Sequence, residues 1–152
     1  MAQENSAGLA GVIAGRTAIS TVGKQGVGLT YRGYSIEDLA EQACFEEVAY
    51  LLIHGRLPTQ AELDQYQKKL RALRGLPGRL RVMLEQIPQD AHPMDVLRTG
   101  CSALGTFEPE QADRDVFAIA NRLVACFSSL LLYWHHFHIR GERIEKVMWR
   151  EK

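Results

Sequence analysis

The chain has 152 residues, the size of one domain or of a part of a larger one. Eighteen basic and eighteen acidic side chains cancel, so no net field recruits nucleic acid or an anionic membrane, and a hydrophobic fraction of 46% is too high for disorder. The polar opening MAQENSAG lacks a basic start followed by an apolar core, so no signal peptide is read there.

In chain order, residues 1–8 read as a disordered lead. Residues 17–22 (TAISTV) are rich in β-branched side chains, the turn Gly23-Lys24-Gln25-Gly26 follows, and residues 29–31 are again extended. Two short extended runs around a glycine-rich turn predict a β-hairpin, which must lie on helices because a lone hairpin is only marginally stable. The chain turns again at Gly33, and Ser35 caps a short helix with Asp38 near its exposed amides. The apolar run 48–53 is stopped by Gly55 and Pro58.

Everything after Ser35 is helical in pattern. Thr59 and Glu62 form a capping box for a helix carrying Leu63, Tyr66, Leu70 and Leu73 at three- and four-residue spacing. A shorter helix over 79–86 is expected to bury Leu80, Met83, Leu84 and Ile87. His92-Pro93 opens the next, with Pro93 in its first turn and Met94, Leu97, Cys101 and Leu104 on its buried face. Gly100, Ser102, Ala103 and Gly105 would let another helix approach closely. After a polar break over 108–114, a last helix starts near Asp113 and runs to about His138. From 123 to 134 it is apolar except for Ser128 and Ser129. Asn121 and Arg122 cut that run short of the roughly 20 apolar residues a membrane span needs. A helix apolar on all sides needs cover on all sides, which a chain of this length does not supply, so more chain or another subunit is implied. No internal repeat, low-complexity tract or domain boundary is visible.

The cysteines, Cys44, Cys101 and Cys126, make no C-x-x-C pair and sit within or beside apolar helical stretches. They read as buried reduced thiols, which suits a reducing cytosol and a cytoplasmic location.

Candidate chemistry is sparse. His135, His136 and His138 look metal-like, but zinc needs three or four ligands and no cysteine or carboxylate has a matching spacing. A wet helix end, with imidazolium at the negative dipole pole, is the favoured reading. His92 and Asp95 could be a catalytic pair, but a helix start explains both more simply. The glycines at 23, 26, 28 and 33 match neither a phosphate-binding loop nor a dinucleotide fingerprint. Arg32, between two tyrosines, could grip a phosphate or carboxylate bidentately, or pair with a nearby carboxylate. Lys69, Arg71 and Arg74 could hold an anion, or simply form the solvated face of their helix. Arg98 is read as a buried structural arginine. No metal site and no catalytic residue is assigned.

Several strings, in this order, carry a resemblance: Tyr31-Arg32-Gly33-Tyr34, the run FEEVAYLL over 45–52, Gly55-Arg56-Leu57-Pro58, His92-Pro93-Met94-Asp95 and Arg98-Thr99-Gly100. Together they resemble the citrate synthase family. The strings STVG at 20–23 and LRALRGLP at 70–77 and the helix end over 130–137 are similar to its 2-methylcitrate synthase branch. The resemblance implies an all-α, citrate synthase-like helical large domain, here its N-terminal part over residues 9–144, with the short N-terminal β-hairpin. It implies condensation of propionyl-CoA or acetyl-CoA with oxaloacetate and hydrolysis of the thioester, in propionate metabolism or the tricarboxylic acid cycle. The coenzyme A thioester is then a substrate, and no separate cofactor is expected. It also carries a coenzyme A contact to Arg32, with Lys69 and Arg74 as further candidates.

The chemistry needs a base beside the thioester carbonyl, a neutral donor for the enol and arginines for the dicarboxylate. In the family these come from an aspartate and from histidines in later motifs. No His-Gly-Gly and no Gly-His occurs in this chain. Residues 145–152 resemble a segment the family places much later, as a deletion or a truncated product would leave. The expectation is a chain inactive alone and prone to self-association. It forms a homo-oligomer or pairs with a full-length synthase; otherwise it is a gene remnant.

Overall fold

Two consecutive residues with positive φ, Arg32 (50°) and Gly33 (93°), fold the chain back on itself between two short strands. That backbone is the primed turn that matches strand twist, and glycine is the residue that adopts it without a Cβ penalty. The computed structural model describes residues 15–21, 28–111 and 115–144. The expected lead at 1–8, the turn at 23–26, the start at Asp113 and the tail at 145–152 lie outside them. The chain divides into two compact units, Met1–Leu57 and Pro58–Lys152.

In the first unit, β1 (Ser20–Thr21), β2 (Thr30–Tyr31) and β3 (Tyr34–Ser35) form an antiparallel sheet in the order β1-β2-β3, with Ser20 opposite Tyr31 and Thr30 opposite Ser35. The expected hairpin is therefore a three-stranded meander, because the Arg32–Gly33 turn adds a strand before the first helix. Helix α1 (Ile36–Gln42) starts at Ser35, whose Oγ accepts from the amides of Glu37 (3.2 Å) and Asp38 (3.4 Å). In α2 (Phe45–His54) the Glu47 carboxylate accepts from the Cys44 amide at 2.7 Å, satisfying a donor the helix start leaves open. Leu39, Ala49 and Leu51 are the buried apolar residues described in this unit.

The second unit holds α3 (Gln60–Ala72), α4 (Gly78–Glu85), α5 (Pro93–Phe107) and α6 (Val116–Arg140). The Thr59–Glu62 capping box forms as expected, with the Thr59 amide donating to Glu62 Oε2 at 2.8 Å. Asp115 caps α6 by accepting from the Phe117 amide at 3.2 Å. Helix α6 packs on α3, α4 and α5. The core joins Leu80 and Leu84 of α4, Val96 and Leu104 of α5, and Cys126, Leu130, Tyr133 and Trp134 of α6. Burying each such large apolar side chain stabilises by about 1.5–3 kcal/mol. Helices α5 and α6 approach closely at Gly100, where an added Cβ would lie 3.2 Å from a Leu130 methyl.

Two expectations for α5 fail. Met94 is 64% exposed; Leu104 is buried as expected, but Val96 and Gly100 complete the buried face, and Leu97 and Cys101 are half-buried. Arg98, expected buried, has a side chain 78% exposed and pairs with Asp95 at 3.0 Å. Both follow from one rotation: the gap beside Gly100, filled by Leu130, turns this stripe inward and puts positions 94 and 98 outward. Helix α6 is long and apolar enough to cross a membrane by length and composition, with 39% of its most apolar 18-residue window buried in the unit. It buries Asn121, Arg122, Ala125, Cys126, Ser129, Leu130, Tyr133 and Trp134, while Val116, Phe117, Phe127 and Ile139 remain exposed.

Candidate functional site

A charge inside an apolar helix must be paired, and Arg122 is. Its Nε donates to Glu108 Oε2 at 2.9 Å and its Nη2 to Glu108 Oε1 at 2.7 Å, a fork-to-fork pair across the α5–α6 connection. Its Nη1 donates to the carbonyl of Leu73, the C-cap of α3. With only 10% of the Arg122 side chain exposed, the carboxylate holds the guanidinium above its usual value, against the opposing pull of burial. Arg122 and Glu108 line an open cleft of about 240 Å³ with Cys101, Leu104, Gly105, Glu110, Ile119 and Leu123. This cleft lies wholly within the second unit.

Chemically the cleft is modest. The arginine is neutralised, so it is no anion trap. Glu108 is engaged as an ion-pair partner and is not poised as a base. The neighbouring Cys126 thiol is pushed up to about 11 by burial, which makes it a poor nucleophile. The cleft can seat a small apolar group, but among the described residues it brings together no base, acid and nucleophile within reach of one another.

The histidine candidates separate. His92 is the N-cap of α5: its Nδ1 accepts from the Met94 amide at 3.2 Å, while Asp95 turns to Arg98. The helix-start reading of this pair therefore holds. At the end of α6, His135 is exposed, but His136 and His138 are half-buried. His136 Nδ1 and His138 Nε2 are sealed from solvent without hydrogen-bond partners, and the His138 ring lies 5.7 Å from Trp134. The wet helix end is thus correct for His135 only. Among the described residues, no group of three or more His, Cys, Asp or Glu is placed to hold a metal ion. The thiols are free, as expected, but only Cys126 is fully buried; Cys44 and Cys101 are half-buried.

The cationic candidates share a setting. Arg32 donates through Nη2 to the Leu52 carbonyl in the last turn of α2, at 3.0 Å. Its partner is a backbone carbonyl, not the carboxylate considered from the sequence. Lys69 is exposed in the last turn of α3, and Arg74 is half-buried just past its C-cap. All three lie at helix C-termini, where the negative pole already accommodates a cation.

Sequence reasoning missed the paired Arg122 and Glu108, noting the first only as a break in an apolar run. It also missed the fully buried Asn121, whose Oδ1 accepts from Tyr66 Oη at 2.7 Å while its Nδ2 has no partner. The available signal was the unexplained Asn121-Arg122 step inside an otherwise apolar helix.

Six helices and a minor three-stranded sheet among the described residues define the class: an all-α protein with a small N-terminal sheet. Comparison with known proteins makes that class specific. A family model described as citrate synthase, C-terminal domain, matches residues 8–151, and the chain belongs to the citrate synthase family. It is 57% identical to a 2-methylcitrate synthase of Shewanella oneidensis over 91% of its own length and 37% of that protein's. It is 49% identical to a citrate synthase-related protein of Dictyostelium discoideum over 77% of its length and 28% of the relative's. Among solved structures, citrate synthase from Thermotoga maritima superposes with a TM-score of 0.73 at 29% identity, covering 95% of this chain and 43% of that one. The all-α reading with a small N-terminal sheet therefore stands, and the chain spans less than half the length of each of these relatives.

Proposed function

We propose that this chain carries scaffold elements of a synthase that condenses an acyl-CoA with oxaloacetate and hydrolyses the resulting thioester, in the branch that takes propionyl-CoA. The observation that carries the reading is the 57% identity to a 2-methylcitrate synthase across nearly the whole chain. We read it as the N-terminal portion of the large domain, and the protein as acting in cytoplasmic propionate metabolism. The chain contributes packing and no bond-making group. The one buried guanidinium among the described residues is neutralised, and the His-Gly-Gly and Gly-His strings that the resemblance implies do not occur in it. Lys69 and Arg74 act at most as long-range attraction for the coenzyme A phosphates.

A chimera tests this. Residues 8–143 of this chain replace the aligned segment of the Shewanella synthase, and thiol release is followed with propionyl-CoA and acetyl-CoA in the presence of oxaloacetate. The reading predicts an active chimera that keeps the parent's preference between the two. A folded but inactive chimera contradicts it.

A second reading rests on the exposed Val116, Phe117, Phe127 and Ile139 of α6. An apolar helix face of this kind seeks cover, so the chain associates with a second copy or with a full-length synthase. Co-expression with a tagged intact synthase tests it: the untagged chain is expected to co-purify, and its loss in the wash contradicts the pairing.

A further inference from the structure

The geometry points to Arg32 as a positioning residue that fastens the β2–β3 turn to the last turn of α2, and not as a side-on bidentate ligand for an anion. Three observations carry this. The first is where the guanidinium goes. The last carbonyls of a helix have no partner within it. In α2 the Leu51 carbonyl accepts from the Gly55 amide, and the Leu52 carbonyl accepts from Arg32 Nη2 at 3.0 Å. A cation at that end also meets the negative helix pole.

The second is what remains of the fork. A phosphate or carboxylate held bidentately along the guanidinium side edge needs Nε and Nη2 together. Here Nη2 is engaged by Leu52, and Nε is sealed from solvent without a partner. That edge is closed to an incoming anion.

The third is the backbone. Arg32 holds φ at 50°, unfavourable for a residue with a Cβ, while its amide donates to the Ile19 carbonyl at 2.8 Å. Such a conformation persists when its surroundings over-determine it. The Ile19 carbonyl, just before β1, on one side and the Leu52 carbonyl of α2 on the other do so. One residue thereby ties sheet and helix together and holds Tyr31 and Tyr34 in register across the turn. This holds whether or not the whole synthase binds coenzyme A through other residues.

The test uses the full chain as Arg32→Ala and Arg32→Lys, with hydrogen exchange at the amides of residue 32, Tyr34 and Ile36 and titration with free coenzyme A. Arg32→Ala is expected to speed exchange at these amides at least about ten-fold, the size of a lost charge-assisted hydrogen bond. Arg32→Lys, whose single ammonium reaches one carbonyl, restores most of the protection, and the coenzyme A titration is the same for all three chains. Unchanged exchange in Arg32→Ala overturns the assignment. So does loss of coenzyme A binding in both variants with exchange unaffected. If Arg32→Ala fails to fold, Arg32→Lys decides alone: full protection supports the clamp, and wild-type folding with exchange at the turn about ten-fold faster than wild type contradicts it.

Discussion

Each unit sends one arginine to the end of a helix, and the two arginines are held very differently. In the Met1–Leu57 unit, Arg32 reaches the Leu52 carbonyl alone, and one of its nitrogens is buried without a partner. In the Pro58–Lys152 unit, Arg122 reaches the Leu73 carbonyl while Glu108 grips its other edge through two bonds. The surroundings differ in the same sense. Leu39, Ala49 and Leu51 are the buried apolar residues described in the first unit, whereas the second has a continuous cluster from Leu80 to Trp134. Where burial is thin, single polar links decide local order. Where a core exists, a buried charge is tolerated because it is fully paired.

The contrast can be strained from both sides. The largest effect is expected at the core. Leu130→Ala removes a fully buried side chain that also fills the space beside Gly100, and should cost about 3–4 kcal/mol, read as a lower urea midpoint for the second unit. Leu39→Ala in the first unit should leave exchange of the α4–α6 amides unchanged. Equal loss of protection in both units after Leu39→Ala would break the distinction.

Next comes the ion pair. Glu108→Ala leaves a nearly buried guanidinium with only the Leu73 carbonyl, and should destabilise the chain by about 3 kcal/mol. Replacing both partners, Arg122→Met with Glu108→Gln, should recover most of that loss. A double variant as unstable as Glu108→Ala would show that the pair itself, and not the stranded charge, matters.

The smallest effect is at the end of α6. The Glu85 side chain, 5% exposed, accepts from Arg143 Nε at 2.9 Å and Nη2 at 2.7 Å, and from Tyr133 Oη at 2.6 Å. The Arg143 hydrogen bonds, then that of Tyr133, hold its carboxyl below the ordinary 4.5, while burial pushes Tyr133 up to about 12. A carboxyl lowered in the folded state contributes stability that is present above its unfolded value and lost as pH falls through its folded value. Glu85→Gln should therefore flatten the stability curve below about pH 4.5 and leave its slope near neutrality unchanged. An unaltered acid limb in a urea series would remove Glu85 from the account.

Much of the fold was legible because its signals are local. The Ser35 cap, the Thr59–Glu62 box and Pro93 in a first turn all sit within four residues of what they organise. The errors lie where partners are remote. Met94 and Arg98 fit the wrong stripe of α5, because the true one is chosen by Leu130, thirty residues beyond Gly100. The third strand depends on Arg32 accepting a backbone that most non-glycine residues avoid. Arg122 looked like a blemish because Glu108 and the Leu73 carbonyl, 14 and 49 residues away, are invisible to any periodicity. Of the site, the sequence alone showed the missing histidine strings. It could not show that Arg32, Lys69 and Arg74 all sit at helix C-termini, since that depends on where each helix ends.

The central claim is that these helices supply framework and not proton transfer. Thiol release by the purified chain, measured with oxaloacetate and either propionyl-CoA or acetyl-CoA, tests it directly. The account predicts the rate of a protein-free blank. Saturable release that requires oxaloacetate would contradict it.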